Sequence, residues 1–324
     1  MDSHNKYIYI PTINREEPEK AVTIYQSQFT DEIVQRWISF AGVRPASQLT
    51  YTKALKQLFK YFKENNIINP TREDLLNWKS QLSERLKSSS IQLYLIATKL
   101  FFRFLAQENI YKNISDNIKG TKLDHEHKKD ALTIKQCKEI ISVINIFTDK
   151  GLRDRAIIAL MMTAGLRTIE VVRANIEDIH NFGEHTYLSV QGKGHDEKAA
   201  KIMIASQVYE FIKEYLDTRN NRNGREPLFT STSRRNFNQR LETQTISRLV
   251  KSVMREVGID DDRHTAHSLR HTAATQALLN GVSLTQVQQI LRHSNINTTL
   301  IYSHHLERLQ NKGEQTVADA IFNQ

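Results

Sequence analysis

The chain has 324 residues, enough for two hydrophobic cores and too few for three full domains. Its 45 Lys and Arg against 36 Asp and Glu give a formal charge of +9, which favours a phosphate-rich partner. A single cysteine excludes intrachain disulfides and Cys-based zinc sites, the longest strictly apolar run (Ala156 to Met162) is too short for a membrane span, and the N-terminus lacks a signal-peptide pattern. A cytoplasmic protein without a membrane partner is expected.

Residues 1–29 are mixed and polar, with Pro11 and Pro18, and read as an extended arm. From Thr30 the apolar residues fall at helical steps: Ile33, Val34, Trp37, Ile38, then Tyr51, Leu55, Leu58, Phe59, Phe62. Thr71 and Asp74 form a capping-box pattern opening a third helix through Leu75, Leu82 and Leu86; Ser88–Ser90 precede a fourth through Tyr94, Thr98, Phe101 and Leu105. The first domain is therefore expected to be a helical unit over 30–112. Lys99 and Arg103 lie between apolar positions of its fourth helix and are candidate DNA contacts. Residues 113–130 carry alternating charges and few large apolar side chains, the composition of a linker.

A second domain is expected over 131–324, with helices near 133–147, 152–164 and 206–219. Cys137 falls on the apolar stripe Ile134, Cys137, Ile141, Ile144, so it reads as a core thiol. Strand formers at 186–191 and 199–204 flank the turn Gly192-Lys193-Gly194. Between Arg225 and Arg255 seven basic residues face only two acidic ones. Arg234, Arg235, Arg240, Arg248, Lys251 and Arg255 are thus candidate phosphate contacts, the last three sharing one face of a helix. The class is mainly α with a small antiparallel β-sheet, in two domains.

Four segments bear on chemistry: Gly165-Leu166-Arg167 with Glu170, the hairpin Lys193, His267-Ser268-Leu269-Arg270-His271, and Leu291-Arg292-His293 followed by Tyr302. Each alone is weak. Lys193 is not in a P-loop, because the required glycine and Ser/Thr are missing. His267 and His271 have zinc-compatible spacing, but Ser268 stands where the metalloprotease pattern needs Glu. In this order over residues 167–302, the set resembles the catalytic motifs of the tyrosine recombinase (phage integrase) family. The motifs cover about residues 131–305, and the preceding helical domain is similar to that family's core-binding, SAM-like domain by architecture. One departure is Arg292, where many members carry Gly.

The resemblance implies phosphodiester exchange without metal or nucleotide cofactor. Tyr302 would be the nucleophile, its phenol needing a base or a strongly positive site because its ordinary pKa is near 10. Arg167 and Arg270 would clamp the scissile phosphate, His267 would accept the phenol proton, and His293 would donate to a non-bridging oxygen. Lys193 would protonate the leaving 5′-oxygen, and Glu170 would support the site by hydrogen bonding. The family implies a C-shaped clamp on duplex DNA with short inverted-repeat core sites. Four protomers would join through the C-terminal segment and exchange strands through a Holliday junction, serving integration, transposition or resolution of mobile DNA. The short arm argues against a separate arm-type DNA-binding domain, and the compact layout favours recombination over a type IB topoisomerase. The rival class is a non-catalytic regulator, with residues 267–293 read as a helix-turn-helix; it would leave Tyr302 expendable.

Overall fold

The computed structural model describes residues 27–122, 130–192, 197–220, 223–310 and 313–322. Residues 1–26, which hold most of the expected N-terminal arm, and Lys193 lie outside the described residues. The chain divides into two compact units between His125 and Glu126.

The first unit consists of α1 (Ser27–Ala41), α2 (Pro45–Glu64), α3 (Arg72–Arg85) and α4 (Ser88–Gln107). Pro45, pre-set for a first helical position, opens α2. The Thr71–Asp74 capping box opens α3, satisfying N–H groups that no helical carbonyl can reach. Trp37, Leu58, Leu75, Trp78 and Leu105 are fully buried, and Phe101 meets the rings of Trp37 and Phe59 edge-on at 5.8 and 5.4 Å.

The first part of the segment expected to be linker, from residue 113 to Thr121, is instead tied to the first unit. Ile114 and Ile118 enter this core. The Thr121 hydroxyl donates to the Ser88 carbonyl at 2.8 Å, and the Lys79 ammonium donates to the Lys119 carbonyl at 2.8 Å. Two well-placed isoleucines help tie down a stretch of otherwise polar composition, and a compositional reading averages them away.

The second unit opens with α5 (Ile134–Ser142), capped by Thr133 and Gln136, and α6 (Asp149–Ala164), capped by Thr148. The helix expected over 133–147 stops at Ser142. Ile144 still reaches the core, but from a turn, and Phe147 points to solvent. Cys137 is buried, and burial pushes its thiol up to about 11, so it is an inert packing group.

After the short helix α7 (Thr168–Arg173), three antiparallel strands follow in the order β1 (Ile179–Phe182), β2 (His185–Val190) and β3 (Ala200–Ile204). Leu188 pairs with both Ile179 and Ile202, which places Leu188, Val190, Ile202 and Ile204 on the buried face. Helices α8 (Ser206–Asp217), α9 (Thr243–Glu256), α10 (Ala266–Leu279), α11 (Leu284–Leu291), α12 (Asn297–Gln310) and α13 (Gly313–Phe322) complete the unit. Its core joins α6, the sheet, α8 and α9, while Ala274, Val287, Leu291 and Tyr302 form a smaller cluster among α10, α11 and α12.

Candidate active site

The two positions that frame the site are helix ends. Helix α6 stops at Gly165, whose φ of 60° lies in the left-handed region where a side chain is disfavoured. A Cβ there would sit 2.8 Å from Leu291 Cδ2, so glycine is required both by conformation and by the approach of α11. The chain then turns outward into Arg167, which precedes α7. Helix α11 ends at Arg292, also left-handed at φ 54° and ψ 46°. Between these ends runs α10, opened by Thr265 and Ser268, carrying His267, Arg270 and His271.

These elements bring Arg167, Glu170, His267, Arg270, His271, Arg292, His293 and Tyr302 around one cavity of about 490 Å³. Arg270 is 1% exposed. One of its terminal nitrogens donates to the Gly165 carbonyl at 2.5 Å and the other to the Leu291 carbonyl. That uses two of a guanidinium's five N–H groups and fixes its plane. Burial, reinforced by Arg167 and Arg292, pushes its pKa down to about 9, so it remains charged at neutral pH.

Glu170 is wholly buried and shared. It accepts from the Arg167 guanidinium at 2.9 Å, from the Arg167 backbone N–H at 2.8 Å, and from Arg292 at 2.7 Å. Burial alone would raise its pKa; Arg292 and Arg167 outweigh that and hold the carboxyl below its ordinary value. It is therefore an anion that orients two arginines.

Tyr302, on α12, is 6% exposed. Its ring lies 5.1 Å from that of His271 and stacks on His293 at 6.4 Å. Burial pushes the phenol above its ordinary pKa, and Arg270 and Arg167 offset this only in part. His293 pairs through Nδ1 with the hydroxyl of Thr299 at 2.9 Å. Burial and then Arg270 and Arg167 push its pKa down to about 4, so its imidazole is neutral at pH 7. In the tautomer where Thr299 donates to Nδ1, the ring proton sits on Nε2 and is available as a donor in the cavity that His293 lines.

The second histidine of the α10 motif, His271, was weighed from sequence only as a zinc ligand and given no part in the chemistry, yet it lines the cavity. Its ring centroid lies 5.1 Å from those of both His267 and Tyr302. Its signal was its spacing, one helical turn after His267. No group of three or more candidate metal ligands occurs among the described residues.

The basic candidates part company. Arg240 is exposed and donates to the Val172 carbonyl and the Asn175 side chain, both at 2.7 Å, satisfying the end of α7. On α9, Lys251 and Arg255 share Asp260 at 3.3 and 2.9 Å, while Arg248 is exposed without an ion-pair partner among the described residues. Arg234, Arg235 and, in the first unit, Arg103 are exposed, with Lys99 half-buried.

Comparison with known proteins gives the phage integrase family over residues 130–308 and its N-terminal SAM-like domain over residues 36–109. The chain is 31% identical over 273 residues to the tyrosine recombinase XerA of Pyrococcus horikoshii, covering 84% of this chain and 88% of the relative. The chain belongs to the phage integrase family. It is a tyrosine recombinase, a site-specific DNA strand transferase, and the non-catalytic regulator is set aside. XerC of Herpetosiphon aurantiacus is 30% identical over 263 residues, covering 78% of the recombinase and 83% of the relative. Among solved structures, a XerH recombinase bound to its difH substrate matches with a TM-score of 0.69 at 21% identity, covering 86% and 83% of the two chains. A lambda integrase dimer on a core site matches at 0.66 and 17%, covering 83% and 96%. These share the fold. Among the described residues of the recombinase, no helix is long and apolar enough to cross a membrane.

Proposed function

We propose that Tyr302 is the nucleophile of this recombinase and that Arg167 and Arg270 hold the scissile phosphate before it. The observation that carries this is a buried tyrosine in the same cavity as three guanidiniums and one buried carboxylate, a net positive site facing a hydroxyl. The phenolic oxygen attacks phosphorus, the bond to the 5′-oxygen breaks, and a 3′-phosphotyrosine and a free 5′-hydroxyl result. The phenol proton passes to the His267–His271 pair, of which His267 is the exposed member able to release it. Neutral His293 donates from Nε2 to a non-bridging oxygen, and the arginines stabilise the doubly charged transition state. Lys193 protonates the departing oxygen.

Because the arginines supply the positive charge, the reaction proceeds without a metal ion or nucleotide. The phosphotyrosine retains the energy of the broken ester, so a 5′-hydroxyl from a second strand reverses the step on a new partner. Arg234, Arg235, Arg248, Lys99 and Arg103 contact the duplex backbone, and short inverted-repeat core sites are the substrate. Lambda integrase is known as a tetramer on a Holliday junction, and the same assembly is proposed here. Its joint is α13, whose Val317, Ile321 and Phe322 are exposed on their own protomer and fit a neighbour's apolar surface. The reaction takes place in the cytoplasm and serves integration, transposition or resolution of mobile DNA. The test is adduct formation: wild type becomes covalently attached to DNA, and Tyr302→Phe binds the same DNA without attachment. Attachment in the variant overturns the assignment.

A further inference from the structure

Arg292 occupies a backbone position that suits glycine. Its φ of 54° places it in the left-handed region, where a Cβ is strained. Its side chain is only 11% exposed and lies on the cavity wall. It donates to Glu170 at 2.7 and 3.4 Å, to the Gly165 carbonyl at 3.2 Å, and to the Ile290 carbonyl at 2.5 Å. The Gly165 carbonyl is the one that also anchors Arg270. One side chain therefore ties together the carboxylate that holds the first arginine and the carbonyl that holds the second.

We propose that Arg292 is a positioning residue that neutralises Glu170, so that Arg167 keeps its charge for the phosphate. The inference rests on the reading of Arg167 and Arg270 as the phosphate clamp. Three arginines outweigh the two carboxylates that line the cavity, buried Glu170 and exposed Glu197, and leave it net positive toward the negative charge on the non-bridging oxygens of the transition state. Without Arg292 two arginines face two carboxylates, and that excess is gone. Glu170, wholly buried, would then draw the Arg167 guanidinium into a private ion pair at the expense of the substrate.

The test uses the full chain and a nicked duplex whose cleavage site is first recovered as wild-type covalent adducts from fragmented genomic DNA of the source organism. Single-turnover adduct formation is compared with thermal unfolding. Arg292→Gly relieves the left-handed strain but breaks a buried ion pair, so its Tm is expected to fall, and cleavage compared below the transition is expected to slow by about tenfold or more. The charge argument demands that Glu170→Gln, added to Arg292→Gly, restore cleavage, because the claim on Arg167 has been removed. Arg292→Lys and Arg292→Gln keep the same backbone strain and differ in charge, so Lys should cleave about tenfold faster than Gln even if the glycine variant folds poorly. The proposal is overturned by wild-type cleavage in Arg292→Gly, by a double variant no faster than the single one, or by equal rates for Lys and Gln. Failure of wild type itself to form an adduct would instead refute the recombinase site on which the inference rests.

Discussion

Gly165→Ala should weaken both the catalytic unit and its chemistry through one methyl group. A left-handed alanine costs about 1–2 kcal/mol relative to glycine. The new Cβ would lie 2.8 Å from Leu291 Cδ2, a side chain that is fully buried and cannot swing into solvent. Overpacking of that kind adds about 1–3 kcal/mol. Restricting the unfolded chain returns about 0.4–1 kcal/mol. The net loss is therefore near 3 kcal/mol, and for a unit of this size that lowers Tm by roughly 6–12 °C. Catalysis should suffer separately, because the Gly165 carbonyl anchors Arg270 and Arg292, and pushing α6 from α11 moves both guanidiniums. Differential scanning fluorimetry and single-turnover cleavage below the transition read the two effects apart. An alanine variant with unchanged Tm would show that the two helix ends are not packed as described. Lower Tm with full cleavage would show that Arg270 does not depend on this anchor.

Lys193→Ala should cleave ordinary DNA very slowly yet recover on a substrate with sulfur at the scissile 5′-bridging position, since a thiolate leaves without a proton; Arg167→Ala should not recover. Equal rescue of both, or of neither, removes Lys193 from the acid role. On α9, Arg248→Ala should reduce the salt slope of DNA binding by about 0.9, and Lys251→Ala by less, because Asp260 already holds that lysine; equal slopes would move the DNA path elsewhere. His293 has a folded pKa near 4 against an ordinary value of 6.5, so the folded state binds fewer protons than the unfolded state in between. Its contribution is complete above about pH 6.5 and is lost as pH falls toward 4. Urea midpoints should thus drop more between pH 7 and 5 for wild type than for His293→Asn, and parallel curves would contradict the burial of a neutral ring.

The first unit was legible because its helices carry their information locally. Thr71 and Asp74 announce a boundary by themselves, and the buried faces repeat at helical spacing. The site residues were legible because each sits at a marked position: Arg167 after a left-handed glycine, and His267 and Arg270 on one short helix. What stayed hidden is tertiary. Strand β1, reading Ile-His-Asn-Phe and mostly exposed, has no alternation of its own and exists because β2 pairs with it. Arg240 reads as one more cation in a basic stretch, and nothing local announces its hydrogen bonds to the Val172 and Ala174 carbonyls at the end of α7. The pairing of Glu170 with Arg292 spans 122 positions, and no local pattern announces it. Arg292 stood out from sequence only as an unusual neighbour of His293.

The most direct measurement is to denature the protein after reaction with the captured cleavage-site duplex, digest it, and identify the DNA-linked peptide by mass spectrometry. A 3′-phosphoryl link on Tyr302, with a free 5′-hydroxyl on the other DNA end, is the predicted result. A link on any other residue, a 5′-phosphoryl link, or cleavage without a covalent intermediate would contradict it.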